Sequence, residues 1–470
     1  MNIDRQGRLD LSVVKFVSPD SRFRVSPVDV LFNNTNSQEL VGKTTSISSD
    51  SEFAFSNHMT RLRPTPDMSS KFVAFRLHFL WMTGYFRHRC THHVNQASIA
   101  SKTLAETVPL LIAPLPEQRR IVAEIEEQLT RLDAAVAALK RVQANLKRYR
   151  ASVLKASCEG RLVPTEAELA RARAAITNQP TASLRNAARW VADQLAKMQA
   201  ADKPPKGVAW KAMYSQPATA EATRLPKLPD GWVWATLSQL AVIQGGIQKQ
   251  PSRRPVKNTH PFLRVANVLR GRLDLSEIHQ IELFDGELDK LRLQPGDLLI
   301  VEGNGSPSEI GRMAIWKGEV KNCVHQNHII RARLLAGISA PYVTSYWNSP
   351  DGRAGVLNVA SSTSGLYTLS VSKVGKLVAP LAPIAEQQRI VAEVERRLSV
   401  IDELEATIEA NLKRAAGLRQ VILKRAFEGK LVPQDPSDEP ASALLERIRA
   451  ERATKQATET PALKRTARRR

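Results

Sequence analysis

A chain of 470 residues has room for two or three domains with ordinary cores, and 43% hydrophobic with 24% charged residues excludes a disordered polymer. The longest apolar run, 108–113, is far too short to cross a bilayer, so no membrane partner is expected. Sixty-eight Lys and Arg against forty-six Asp and Glu leave a net charge of +22, which points to a polyanion, because each cation laid against a phosphate releases a condensed counterion. The start, Met1-Asn2-Ile3-Asp4-Arg5, lacks the basic and apolar regions of a secretory signal. Cys90, Cys158 and Cys323 stand far apart without ligand spacing, as free thiols in a reducing cytoplasm would.

In chain order, residues 1–113 combine short apolar runs, turn residues and alternation, which predicts a mixed α/β domain rich in strands. Residues 114–164 read as one long helix. Its apolar stripe runs through Ile121, Ile125, Leu129, Leu132, Val136, Leu139, Val142, Leu146, Tyr149 and Val153, in the narrow three-and-four stepping of a coiled-coil seam. Residues 165–227 are a helix-prone segment followed by a linker around Lys203-Pro204-Pro205-Lys206 and Ser215-Gln216-Pro217. A second strand-rich domain is predicted over 228–382 and a second long helix over 383–433. That helix has its own stripe at Ile390, Val394, Leu398, Ile401, Leu404, Ile408, Leu412, Ala415, Leu418 and Ile422. A helix-prone piece and a basic tail fill 434–470. The stripes are too narrow for a globular helix, so the two helices are expected to pair with each other as a rod on the order of 60 Å. The predicted fold class is therefore α/β (α+β), two such domains with an antiparallel helix pair.

Self-similarity organises all of this. Positions 114–164 align with 383–433 at an offset of 269, and about twenty of the fifty-one pairs are identical, including E-Q-x-R-I-V-A-E and E-G-x-L-V-P. The globular segments repeat more faintly. Asp29 matches Asp297, Gly42-Lys43 matches Gly311-Arg312, and Asn57-His58 with Arg61 and Arg63 matches Asn327-His328 with Arg331 and Arg333. One frame carries two different sets of loops. The second globular segment also has some forty residues, about 228–266, before its Asn267, whereas the first begins at the equivalent Asn2. Its opening strands are expected to be missing, which would leave a bare sheet edge. Truncation, a start set too far downstream, or completion by another chain would each account for that.

A globular segment, a P-x-x-E-Q-x-R-I-V helix and an E-G-x-L-V-P ending, all duplicated, resemble the specificity subunit of type I restriction-modification systems. The Leu228-Pro229-Asp230-Gly231-Trp232 opening adds a weaker sign. The resemblance implies two target recognition domains reading the halves of a split double-stranded DNA site. It also implies two methyltransferase (modification) subunits docked on the helices and a restriction motor-nuclease subunit. In such a complex S-adenosylmethionine, ATP and Mg belong to the partners, and this chain holds no cofactor and no metal. Stand-alone methylation systems reuse the same module.

Base and phosphate contacts call for Lys, Arg, Asn or Gln on loops. The candidates are Lys43, Arg61, Arg63, Arg87, Arg89 and Lys102 in the first domain and Lys249, Arg253, Arg254, Lys257 and Arg312 in the second, where Ser252–Pro255 follows Gly245-Gly246. Glu117, Gln118, Arg120, Glu386, Gln387 and Arg389, at the helix starts, fit either helix-start electrostatics or contact with the modification subunits. Asn57-His58 and Asn327-His328 recur beside a strand, which favours a frame role over metal binding. No catalytic residue is expected. A methyltransferase would need a glycine-rich cofactor loop and an N-P-P-Y motif, and Lys203-Pro204-Pro205-Lys206 has neither the Asn nor the aromatic residue. The G-x-x-x-x-G-K-[ST] of a motor is also absent. The rival reading is a basic coiled-coil scaffold for RNA or an acidic protein.

Overall fold

The computed structural model describes residues 3–18, 23–48, 53–177, 220, 225–363 and 366–467. The expected linker around Lys203–Lys206 and Ser215, and Arg468–Arg470 of the basic tail, lie outside these residues. The chain forms two compact units, residues 1–142 with 407–470, and residues 143–406. Among the described residues no helix is long and apolar enough to cross a membrane.

The first unit is built on β1 (Val30–Asn33), β2 (Thr35–Asn36), β3 (Thr44–Ser46) and β4 (Met59–Leu62), followed by α1 (Ser70–Met82), β5 (Thr91–His92), β6 (Ala97–Ser98) and α2 (Ser101–Thr107). All four β1 residues are buried, as befits the centre of the antiparallel sheet β3-β1-β4, where Leu31 faces Thr45 on one side and Arg61 on the other. Ser69 caps α1 by accepting from the Phe72 amide, and Phe32, Val73, Leu77 and Phe86 close the core between helix and sheet. The long helix α3 (Leu115–Cys158) starts here, and α4 (Glu166–Thr177) follows it in the second unit.

The second unit adds β7 (Val233–Thr236), α5 (Leu237–Leu240), β8 (Ala241–Gly245), β9 (Thr259–Leu263), β10 (His279–Glu282) and α6 (Glu287–Leu291). There follow β11 (Leu298–Val301), β12 (Gly303–Asn304), β13 (Met313–Ile315), β14 (Val324–His325), β15 (Ile329–Leu334), α7 (Ala340–Asn348) and α8 (Pro350–Val359). Then come β16 (Ser361–Thr363), β17 (Leu366–Thr368), α9 (Val371–Gly375), β18 (Val378–Leu381) and the long helix α10 (Ile384–Phe427), with α11 (Ala441–Ala467) in the first unit.

The repeat seen in the residues is a repeat of topology. Sheet β3-β1-β4 corresponds to β13-β11-β15, and β2-β6-β5 corresponds to β12-β17-β16. Buried Asp29 and Asp297 hold the same post in each copy. Asp29 takes two bonds from the Arg63 guanidinium, at 2.7 and 2.9 Å, and Asp297 takes two from Arg333, both at 2.7 Å. Gly42 (φ +100°) and Gly311 (φ +63°) occupy left-handed turns beside Phe86 and Val356, where a Cβ would collide with the neighbouring side chain. Among the described residues only the second copy continues its sheet outward, to β13-β11-β15-β8, and only it has the sheets β10-β9-β14 and β18-β7.

The long helices pair antiparallel within each unit. In the first, Ile121, Ile125 and Leu129 of α3 pack with Ile422, Leu423 and Phe427 of α10 and with Phe72 of α1. In the second, Val153 and Leu154 of α3 join Ile390 and Val394 of α10 in the main core. Gly160 and Gly429 end the two helices in the left-handed conformation, and the amides of Arg161 and Lys430 reach back to Ala156 and Arg425. The stripe differs from its expected course at four places. Val142, Tyr149, Leu404 and Leu418 are 44–48% exposed, because polar residues one position on take the inward places. Arg150 pairs with Asp402 and Glu405, and Arg419, only 9% exposed, pairs with Asp133. Positions 133 and 402 are repeat equivalents, as are 150 and 419, so both clamps fix one register.

Candidate nucleic-acid interface

In the second unit the loop between β8 and β9 carries most of the candidate cations, and two acids from neighbouring elements shape it. Glu287, at the start of α6, grips Arg253 through both oxygens at 2.7 and 2.8 Å, and the guanidinium lies 4.4 Å from the Phe284 ring centre. Glu282, at the end of β10, accepts from the amides of Val256, Lys257 and Asn258. These bonds hold both carboxyls below the usual carboxylate range, Glu282 through the amides of Asn258 and Val256, Glu287 through the Arg253 guanidinium. Lys249, Arg254 and Lys257 are left exposed, with no side-chain hydrogen bond or ion pair among the described residues. Arg312 is half-buried, giving one guanidinium bond to the Val265 carbonyl at 3.0 Å and another to Glu309 at 3.2 Å.

In the first unit the turn after α1 presents Arg87 and Arg89 to solvent. Tyr85 Oη donates to the Thr107 carbonyl at 3.1 Å, which seats that turn against α2 with its exposed Lys102. Arg89 covers the Tyr85 ring at 3.9 Å, and Gln38 Nε2 donates to the Arg87 carbonyl. The other three candidates serve the frame. Lys43 is 3% exposed with its ammonium against the Ile3 carbonyl, and burial lowers its pKa. Arg61 bonds the Arg24 carbonyl at 2.8 Å beside Phe55, and Arg63 belongs to the Asp29 clamp.

The helix-start motif is tied inward twice in the same way. Gln118 accepts from the Ser69 amide at 2.9 Å and donates to the Ala113 carbonyl at 2.7 Å. Gln387 does the same with Ser339 at 3.1 Å and Ala382 at 2.8 Å. Arg120 pairs with Asp438 and Arg389 with Glu166, so each arginine holds the segment that follows the other helix. Glu386, fully buried, takes the Trp232 indole N–H at 3.0 Å and the Glu166 amide at 3.0 Å, and burial pushes its pKa up despite them. Its equivalent Glu117 is 8% exposed and has no such partner among the described residues.

Asn57-His58 and Asn327-His328 contribute backbone. The His58 carbonyl accepts from Asn34 N at 3.0 Å, and the His328 carbonyl accepts from Glu302 N at 2.9 Å. The described residues hold no cluster of three His, Cys, Asp or Glu that could bind a metal ion. Reasoning from the residues missed the loop anchors Glu282 and Glu287. Their signal was present, two carboxylates spaced five apart after a basic stretch.

Two copies of one sheet frame, each leading into a long helix that pairs with the other, define a duplicated α/β protein presenting two loop sets. Comparison with known proteins finds relatives for that class. The chain is 27% identical over 467 residues to the specificity subunit of the type I restriction enzyme EcoKI of Escherichia coli strain K12, spanning 96% of this chain and 87% of that one. It is 25% identical over 470 residues to the StySPI specificity subunit of Salmonella potsdam, with the same coverage. A solved chain of a type I R-M system superposes with a TM-score of 0.58 at 17% identity, over 87% of this chain and 83% of that one, a likeness of fold. No protein-family model matches the chain. The chain is thus similar over nearly its whole length to type I restriction enzyme specificity subunits.

Proposed function

We propose that this chain reads a split double-stranded DNA target in the cytoplasm and positions two methyltransferase subunits and a motor-nuclease subunit upon it. The chain does no chemistry itself, and S-adenosylmethionine, ATP and Mg act on the partners. The observation that carries this reading is the duplicated frame with unlike outward loops, in a strongly basic chain similar to specificity subunits. A frame held constant by the Asp29 and Asp297 clamps leaves the loops free to differ, and two different readers suit a target in two unlike halves. Joining two weak half-site contacts in one chain raises effective concentration, so neither half needs full affinity.

The DNA contacts are assigned chiefly to Lys249, Arg254 and Lys257 in the second unit and to Arg87, Arg89 and Lys102 in the first, whose charges face solvent. The assembled complex should bind one split duplex sequence orders of magnitude above random duplex. Changing Lys249, Arg254 and Lys257 to Ala together should flatten the log affinity against log salt plot by about one unit for each phosphate no longer neutralised. Mapping methylated adenines in the host with and without this chain tests the whole reading. A two-part motif should vanish on deletion. Unchanged methylation, or equal competition by single-stranded RNA, would refute it.

A further inference from the structure

Three arginines of the second unit gather where the turn after β9 meets the junction of α7 and α8. That turn is closed by the bridge between Val268 and Leu273, and Gly271 N donates to the Met313 carbonyl at 2.8 Å, which seats Arg270 beside β13. The half-buried Arg270 guanidinium donates to the Ser308 carbonyl at 2.6 Å and to Oδ1 of Asn348, the last residue of α7, at 3.5 Å. Both acceptors are neutral. Arg353 stands in the first turn of α8, where its amide donates at 3.0 Å to Ser349, the residue that ends α7 and caps α8. Its side chain is exposed and has no hydrogen bond or ion pair among the described residues. The acid of the same turn, Asp351, faces Lys155 at 4.0 Å instead. Arg312 completes the group, bonded to Glu309 and to the Val265 carbonyl. Burial first and the charge of Arg353 next lower the Arg270 pKa, Glu309 opposes them, and Arg312 adds to the lowering. Three guanidinium charges thus share Glu309, whose side chain is 44% exposed. Like charges held this close repel one another unless a counterion joins them.

We propose that Arg270, Arg312 and Arg353 form an anion site that takes a backbone phosphate of duplex DNA. The site rests on the DNA reading above and adds to it a contact that reads no bases. Guanidinium groups match the paired oxygens of a phosphate, and the bonds to Ser308 and Asn348 fix Arg270 beforehand, so little side-chain freedom is lost on binding. The arginines stand on the sheet frame and the α7 to α8 junction, outside the β8 to β9 loop that carries Lys249, Arg254 and Lys257. Their hold on the backbone is therefore the same whatever bases that loop meets. The excess of +22 over the whole chain favours nucleic acid over an acidic protein as the occupant.

The test measures binding of the full chain, assembled with its modification subunits, to the split duplex and to random duplex across a salt series. Arg353→Ala should weaken both duplexes by the same factor, about tenfold at low salt, and flatten the log affinity against log salt plot by about one unit. Arg353→Lys, which keeps the charge but not the fork, should hold the slope and lose about threefold. Glu309→Gln, which removes the competing carboxylate, should tighten both duplexes about threefold. Arg353 is exposed, so its variants should melt with the parent. An unchanged slope in Arg353→Ala, while the parent binds the split duplex, overturns the site and leaves the DNA reading standing. A loss confined to the split duplex overturns it as well, since that marks base reading. So does lost assembly with the modification subunits at unchanged duplex binding, which marks an acidic protein as the occupant. A parent complex that binds no duplex removes the DNA reading and this site together.

Discussion

The first globular unit and the second share their middle and differ at their opening. Both have the central strand flanked antiparallel on each side, the buried aspartate gripped by an arginine, and the glutamine that ties the long helix to the cap of an earlier helix in the same unit. Among the described residues the second has in addition β7, β8 and β9, with Trp232 ahead of them, and its largest core spans β7, β8, α7 and both long helices. In the second unit that segment covers the edge of β15, pairs with β18 and gives Glu386 its indole partner.

The sharpest way to break this comparison is at the tryptophan. Trp232→Ala removes a 6% exposed ring and strands the Glu386 carboxylate, so the second unit should lose about 3–5 kcal/mol in denaturant unfolding. Glu117→Ala deletes a carboxylate with no such donor and should stay within about 0.5 kcal/mol. Equal losses at both would show that Glu117 is already satisfied. Next come the clamps. Arg333→Ala leaves Asp297 buried and unpaired and should cost about 3 kcal/mol. Arg63→Ala should cost nearer 2 kcal/mol, since the Arg63 side chain is 53% exposed against 30% for Arg333. Melting curves of the two variants sharpen the claim of a common frame, and a negligible effect at either would limit it to the other unit.

The smallest expected difference is with pH. Burial lowers His78 in the first unit and His325 in the second to about 4. Each is neutral when folded and takes up a proton on unfolding, so its contribution is complete above the unfolded value near 6.5. It is lost as pH falls from there toward 4. Between pH 7 and pH 5 each should cost about 2 kcal/mol, partly offset in the second unit by Glu386, whose raised pKa acts in the opposite sense. His325→Gln should remove the acid sensitivity of the second unit alone, read by unfolding at the two pH values. A variant as acid-sensitive as the parent would discard the histidine as its source.

The large plan was open to reading from residues because it is written twice. Two alignable helices, their glycine stops, and the Asp29, Arg63, Asp297 and Arg333 quartet stand out by repetition, and the structure places each in equivalent positions. The seam was less readable. Stepping by three and four through apolar residues selects Tyr149 and Leu418, whereas the inward places go to Arg150 and Arg419, because a cross-helix acid can neutralise an arginine there. The surface was least readable. Lys43, Arg61 and Arg63 are basic residues like Arg87 or Lys102, and nothing in their sequence neighbourhood tells that Ile3, Arg24 and Asp29 fold onto them.

The anchoring of the β8 to β9 loop bears on how that loop could be moved from one protein to another. Its shape is imposed by Glu282 and Glu287, which lie beyond β9 in the chain. A transplant of 248–258 alone would arrive in a recipient without the two carboxylates that set its curve, and the half-buried Arg253 would be left without its counter-charge. The smallest exchangeable cassette therefore runs from Gln248 through Glu287. Mutational drift within it should move the acids and the basic loop together.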